Sequence, residues 1–201
     1  SVELNGSVAD KKVITVSGSH KGVGKTSLSQ VLLAYLPRYT AIKITMTGKD
    51  TGVYEDSAHL MVPGTDTFRM KQSGAEKVFW IRATDDQIVA LMKQVLGRVG
   101  DISGLLIEGN TVLRHLKPTL SCFVTTSTLD SMKPSRIHAL ENADICVLNQ
   151  REGSISCDAL KPKLDTINPS IALFSFSLLE GAAANSHDFN GFLKYVGERL
   201  N

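Results

Sequence analysis

Gly18-Ser19-His20-Lys21-Gly22-Val23-Gly24-Lys25-Thr26 is the stretch on which the reading of this chain turns. It follows Lys12 to Ser17, a β-branched run that reads as a strand. It opens Thr26 to Leu36, where Leu28, Val31, Leu32, Tyr35 and Leu36 fall on one helical face until Pro37 stops the helix. In a strand–loop–helix of this kind, glycines let the backbone curl until several N–H groups point inward as an anion nest. The helix N-terminus adds the positive end of its dipole. Lys25 is then placed to reach the β- and γ-phosphates of a nucleotide, and the Thr26 hydroxyl to hold Mg²⁺. Ser19, His20, Lys21, Gly22, Val23, Gly24 and Ser27 complete the candidate phosphate cradle. The usual spacing puts its first glycine at position 19, where this chain has Ser, with Gly one place earlier at 18. A dinucleotide fingerprint does not fit, because Ser27 stands where its third glycine belongs.

Outward from the loop, strands and helices alternate. Ala41 to Met46 and Lys77 to Arg82 read as strands. Thr84 and Gln87 form a capping box for a helix carrying Ile88, Leu91, Met92, Val95, Leu96 and Val99, which Gly100 ends. Gly104 to Ile107 is wholly apolar, as a strand buried on both faces should be. Thr119 to Thr125, Asp144 to Leu148 and Ser170 to Phe176 are further strands, and Phe189, Phe192, Leu193, Val196 and Leu200 mark a last helix. The expected fold is α/β, a mostly parallel sheet of about seven strands flanked by helices, as in P-loop NTPases. Residues 1–201 are expected to form a single nucleotide-binding domain. Thr47 to Gly64 is the least regular part and reads as a long functional loop.

Two more segments bear on chemistry. Leu105-Leu106-Ile107-Glu108-Gly109 is a buried strand ending in a carboxylate. Beside a phosphate loop, Glu108 would hold Mg²⁺ or orient an attacking water; an ordinary strand-end Glu is the plain alternative. In Ala143 to Glu152, a strand ends in Asn149, with Gln150 next and Glu152 three residues on. Guanine-binding P-loop proteins carry Asn-Lys-x-Asp at such a place. Glu152 could accept from the N1–H and amino group of guanine, a donor pair adenine lacks. A polar loop after a strand is the alternative.

With these three segments in order, the chain resembles the adaptor proteins of molybdopterin-guanine dinucleotide biosynthesis, of the SIMIBI class of P-loop NTPases. Their deviant loop has an extra Lys five residues before the loop Lys; here that place is His20, with Lys21 beside it. The resemblance runs through Lys43 in the second strand, Pro63-Gly64-Thr65-Asp66-Thr67-Phe68-Arg69, Gly74-Ala75 and the strand ending Glu108-Gly109. It covers roughly the first 110 residues best. The family's His residues after the strand Lys are replaced by Ile44, Met46 and Thr47. The resemblance implies Mg²⁺-dependent binding and slow hydrolysis of a nucleotide, GTP or ATP, by an adaptor in metal-cofactor maturation. Lys25, Glu108 and Asp66 would carry the chemistry, with Thr26 and Glu108 on Mg²⁺. Asp66 reads either as an acid favoured near a helix N-terminus or as a switch-like group near the metal. Partners would be the nucleotide, a cofactor-biosynthesis enzyme and a second copy in a homodimer. A small-molecule kinase or ligase and a non-hydrolysing scaffold are the rival readings.

Composition sets the frame. The 201 residues carry 22 basic and 20 acidic side chains, a net charge of +2. That is no footprint for wrapping nucleic acid or coating a membrane. Ser1 to Asp10 is polar and acidic, unlike a secretory signal. Three cysteines without close pairing suit a reducing cytoplasm. His59, His115, His138 and His187 show no metal-binding spacing.

Overall fold

The computed structural model describes residues 2–55, 61–179 and 187–201. Among them are eight strands: β1 (Lys12–Gly18), β2 (Tyr39–Met46), β3 (Gly52–Glu55), β4 (Val78–Ala83), β5 (Gly104–Glu108), β6 (Leu120–Thr125), β7 (Ile145–Asn149) and β8 (Ala172–Phe176). Six α-helices accompany them: α1 (Lys25–Tyr35), α2 (Asp66–Gln72), α3 (Ile88–Leu96), α4 (Pro134–Glu141), α5 (Cys157–Ile167) and α6 (His187–Leu200). The strands form one sheet in the order β3-β4-β2-β5-β1-β6-β7-β8. Every neighbouring pair is parallel except β3 with β4.

Alternation along the strands divides the core. Ile14, Val16, Leu106, Cys122, Val124 and Val147 point to the face covered by α1, α2 and α6. Leu28 and Leu32 of α1, Met70 of α2 and Phe192 of α6 are fully buried against them. Val13, Ile42, Leu105 and Ile107 face the other way, onto Ile88, Met92 and Val95 of α3. On that same side Phe123, Cys146 and Leu148 pack under α4 and α5. Between those two clusters the Thr15 and Ser121 hydroxyls pair at 2.9 Å, which satisfies two buried polar groups. Cys122 and Cys146 behave as small core hydrophobes, and burial pushes the Cys146 thiol up to about 12.

The seven strands read from sequence all form, and an eighth lies inside the segment expected to be an irregular loop. Gly52 to Glu55 turns back antiparallel onto β4, pairing Tyr54 with Trp80. The α1 face is also rotated from the expected one. Leu33 is buried, whereas Tyr35 is 43% exposed. The Tyr35 hydroxyl instead lies against Gly197 of α6, where even a methyl side chain would come within 2.7 Å of it. Parallel strands bring their C-terminal ends to one edge, and the sequence motifs sit there.

Candidate functional site

The phosphate loop is built by close approaches that need glycine. Gly24 has φ of +114° and is the N-cap of α1. A Cβ there would lie 2.8 Å from Asn149 Nδ2, so both the backbone angle and the packing exclude a side chain. No side chain caps α1, which leaves its first-turn N–H groups available to an anion. Gly18 plays a different part. A Cβ at 18 would press on Val23 and on the Lys25 stem at 3.0 Å, so this glycine lets the lysine chain cross the loop. The shift of the first glycine from 19 to 18 therefore keeps room for Lys25. Ser19 continues the sheet instead: its N–H donates to Val124 O, and its hydroxyl pairs with that of Thr125 at 2.7 Å.

Lys25, Thr26, Lys43, Asp66, Arg69 and Glu108 share one cavity of about 780 Å³. The Thr26 hydroxyl donates to both Glu108 oxygens, at 3.1 and 3.2 Å. Lys43 lies directly across from Glu108 in the β2–β5 pairing. Lys43 Nζ and an Arg69 terminal nitrogen each donate to Asp66, one to each carboxylate oxygen. Thr65 caps α2, its hydroxyl accepting from Phe68 N–H at 3.3 Å, which places Asp66 in the first turn. Asp66 is thus both a favoured N-terminal acid and a member of the cavity wall.

The electrostatics follow from burial. Glu108 is 4% exposed, and desolvation raises its pKa despite the opposing fields of Lys43 and Lys25. Desolvation also lowers the pKa of Lys25, with Glu108 pulling the other way. For Asp66 burial acts upward, but the hydrogen bonds and charges of Lys43 and Arg69 prevail and hold it below its usual range. Among the described residues, the cavity is lined by the cations Lys21, Lys25, Lys43, Arg69, Lys133, Arg136 and Arg151, against two carboxylates, Asp66 and Glu108. Over the whole chain basic and acidic residues nearly balance, whereas here the basic ones predominate.

At the β7 end, Asn149 is 6% exposed and ties three segments together. Its Nδ2 donates to Val23 O at 3.0 Å, and its Oδ1 accepts from Leu178 N–H at 3.0 Å. Val23 is a core residue that meets the site through its backbone. Lys21, Gly22, Gly24 and Ser27 line the cavity, as do Asn149 and Thr26. Gln150 and Glu152 do not: Gln150 Nε2 donates to Ser175 of β8, and Glu152 is exposed. Arg151, which the sequence reading passed over, lines the cavity and donates to Gly22 O at 2.7 Å. Asn110, Lys133, Arg136 and Leu178 were likewise not singled out. Asn110 Oδ1 accepts from Gly18 N–H at 3.1 Å, anchoring the start of the loop. These residues lie far apart in sequence, Arg136 in α4 and the others in connections, where no spacing rule marks them. His59 lies outside the described residues, as does the side chain of His187.

No protein-family model matches the chain, and no curated protein matches it in sequence. Solved structures do. The hydrogenase maturation factor HypB from Archaeoglobus fulgidus is similar with a TM-score of 0.64 at 15% identity, over 100% of this chain and 97% of that one. HypB from Helicobacter pylori, solved in complex with nickel, gives 0.63 at 12% identity, over 98% of this chain and 92% of that one. At such identity the likeness is one of fold. The phosphate loop and the mostly parallel sheet, with helices on both faces, make this the fold of P-loop NTPases. No helix among the described residues is long and apolar enough to cross a membrane.

Proposed function

We propose that the protein binds a Mg²⁺-nucleoside triphosphate, with GTP preferred, and hydrolyses it slowly as an adaptor in metal-cofactor maturation, within one nucleotide-binding domain. One observation carries this reading: the Thr26 hydroxyl and the Glu108 carboxylate meet at the mouth of the phosphate loop, in the cavity that also holds Lys25. A hydroxyl and a carboxylate are hard oxygen donors suited to Mg²⁺, which keeps its remaining positions for water and phosphate oxygens. When bound, the metal would neutralise charge on the phosphates. Thr26 and Glu108 would hold it, Lys25 and the free N–H groups of α1 would bind the phosphates, and the base would lie toward Asn149. The GTP preference draws on the Asn149-to-Glu152 spacing in the sequence, although Glu152 itself does not line the cavity. A terminal phosphate held by Lys25 would compete with Asp66 for Lys43 and Arg69, which line the same cavity. Thr47 to Gly64, of which residues 56–60 lie outside the described residues, precedes α2 in the sequence, and its response to the triphosphate is part of this reading. The maturation role draws on the likeness to the HypB structures. The SIMIBI class and a homodimer draw on the resemblance of the phosphate loop, and the molybdenum cofactor on that of Lys43 and Pro63 to Arg69.

Competition between GTP and ATP for the protein in Mg²⁺, followed by thermal shift, tests the base assignment. GTP is expected to displace ATP, and a clear ATP preference contradicts it. A ligand held at 100 times its Kd should add about 2.7 kcal/mol of stability. Turnover that requires a second small-molecule substrate would favour a kinase or ligase over an adaptor.

A further inference from the structure

Just beyond Glu108 in the chain, Asn110 lines the main cavity together with Lys25, Thr26, Lys43 and Asp66. It stands at the N-cap of the 3-10 turn Thr111–Arg114. An Asn in that place ordinarily turns its oxygen back to accept from an N–H of the turn. Asn110 makes no such bond. Its Oδ1 instead accepts from Gly18 N–H at 3.1 Å, at the end of β1.

That bond decides which way the carboxamide points. A backbone N–H can only donate, so the atom facing Gly18 must be the oxygen, and the NH₂ group is the free end. Nδ2 has no hydrogen-bond partner among the described residues, and it is not shut off from solvent. Neighbouring donors are already committed: Lys43 and Arg69 to Asp66, and Thr26 to Glu108.

The backbone beside Asn110 is pinned. Gly109 N–H donates to Val16 O at 3.0 Å, and the Ser17 hydroxyl donates to Gly109 O at 3.2 Å. A Cβ at 109 would come within 3.3 Å of Ile44 Cβ, so β2 closes on this connection as well. A donor held in this way loses little freedom on meeting an acceptor. In the sheet order, β5 and β7 are three strand spacings apart, roughly 14 Å. Asn110 therefore belongs to the Glu108 side, with the metal donors, and not to the Asn149 side, where the base would lie.

We propose that Asn110 reads the terminal phosphate: its Nδ2 donates to a γ-phosphate oxygen while its Oδ1 holds the start of the loop, which weights binding toward the triphosphate. The assignment rests on the nucleotide reading above. A diphosphate leaves this donor without its acceptor, and a site built to hydrogen-bond a group discriminates against a ligand that lacks it.

The test is calorimetric titration of GDP and of a non-hydrolysable GTP analogue, each with Mg²⁺, into wild type, Asn110→Ala and Asn110→Asp. The readout is the ratio of the two dissociation constants, because loss of the Gly18 anchor by itself weakens both ligands alike. In Asn110→Ala the ratio should shift about tenfold against the analogue. Asn110→Asp keeps an oxygen for Gly18 and puts a carboxylate where the NH₂ group was. It should shift the ratio further in the same direction, and it answers the question should Asn110→Ala fold poorly. A ratio unchanged in either variant that folds overturns the proposal alone, whether the two affinities hold or fall together. Wild type that binds neither ligand overturns the nucleotide reading and the proposal with it.

Discussion

Glu108 is held in the sheet at a cost that a bound cation would offset. Its pKa is raised, chiefly by burial, so the ionised form is disfavoured in the folded protein without metal. The stabilising protonated form is fully populated below the ordinary glutamate value of 4.5, and its contribution is lost as pH rises through the raised pKa. Glu108→Gln is therefore expected to raise Tm at neutral pH in the absence of metal. That gain should fade below about pH 4.5, while Mg²⁺-dependent nucleotide affinity falls. A variant less stable than wild type at pH 7 would contradict this. Asp66 has the opposite sign. Its lowered pKa gives stability that is present above the ordinary aspartate value of about 4, and that is lost as pH falls through the lowered pKa. The Tm difference between wild type and Asp66→Asn should favour wild type at pH 7 and shrink steadily in acid. A difference independent of pH would mean that the Lys43 and Arg69 pairs do not set it.

The phosphate loop and α1 act as one element. Gly24→Ala would force a side chain into a φ of +114° and toward Asn149. Such strain costs about 1–3 kcal/mol, and nucleotide binding should weaken with it because Asn149 is displaced. Chemical denaturation and nucleotide titration of the same variant measure the two effects. By contrast Leu28→Ala, fully buried on the far side of α1, should cost about 2–5 kcal/mol of stability. It should alter nucleotide affinity far less. These positions also mark what the sequence made legible. Lys25 and Thr26 were readable because a loop between a β-branched run and an apolar helical face has few other uses, and Glu108 because it ends a wholly apolar strand. The strand β3 was not readable. Four residues between Gly and Asp clusters carry little period, and their pairing depends on β4 reaching the sheet edge beside them. The partners of Asp66 were only half legible: its place at the start of α2 follows from Thr65 and Asp66, but the contact with Lys43 crosses 23 residues.

Across the whole molecule, one edge of the sheet gathers what the chain lacks on average. A net charge of +2 conceals a cavity lined by seven cations and two carboxylates among the described residues. Parallel topology makes this possible, since β2, β5, β1 and β7 all end there, bringing Lys43, Glu108, the phosphate loop and Asn149 together. Lys133 and Arg136 arrive at the start of α4 and Arg151 from the connection after β7, which is why no local pattern announced them. Such a field steers anionic ligands and weakens with salt, so the association rate of nucleotide should fall as ionic strength rises. The central claim is that Lys25 and its loop hold the phosphates of a Mg²⁺-nucleotide. Calorimetric titration of GTP into wild type and Lys25→Ala, each with Mg²⁺ and with chelator, tests it most directly. The account predicts saturable, Mg²⁺-dependent binding to wild type. Lys25→Ala should lose about 1.5–3 kcal/mol, roughly 10- to 150-fold in affinity. No binding of any nucleotide to wild type, or equal affinity in Lys25→Ala, would contradict it.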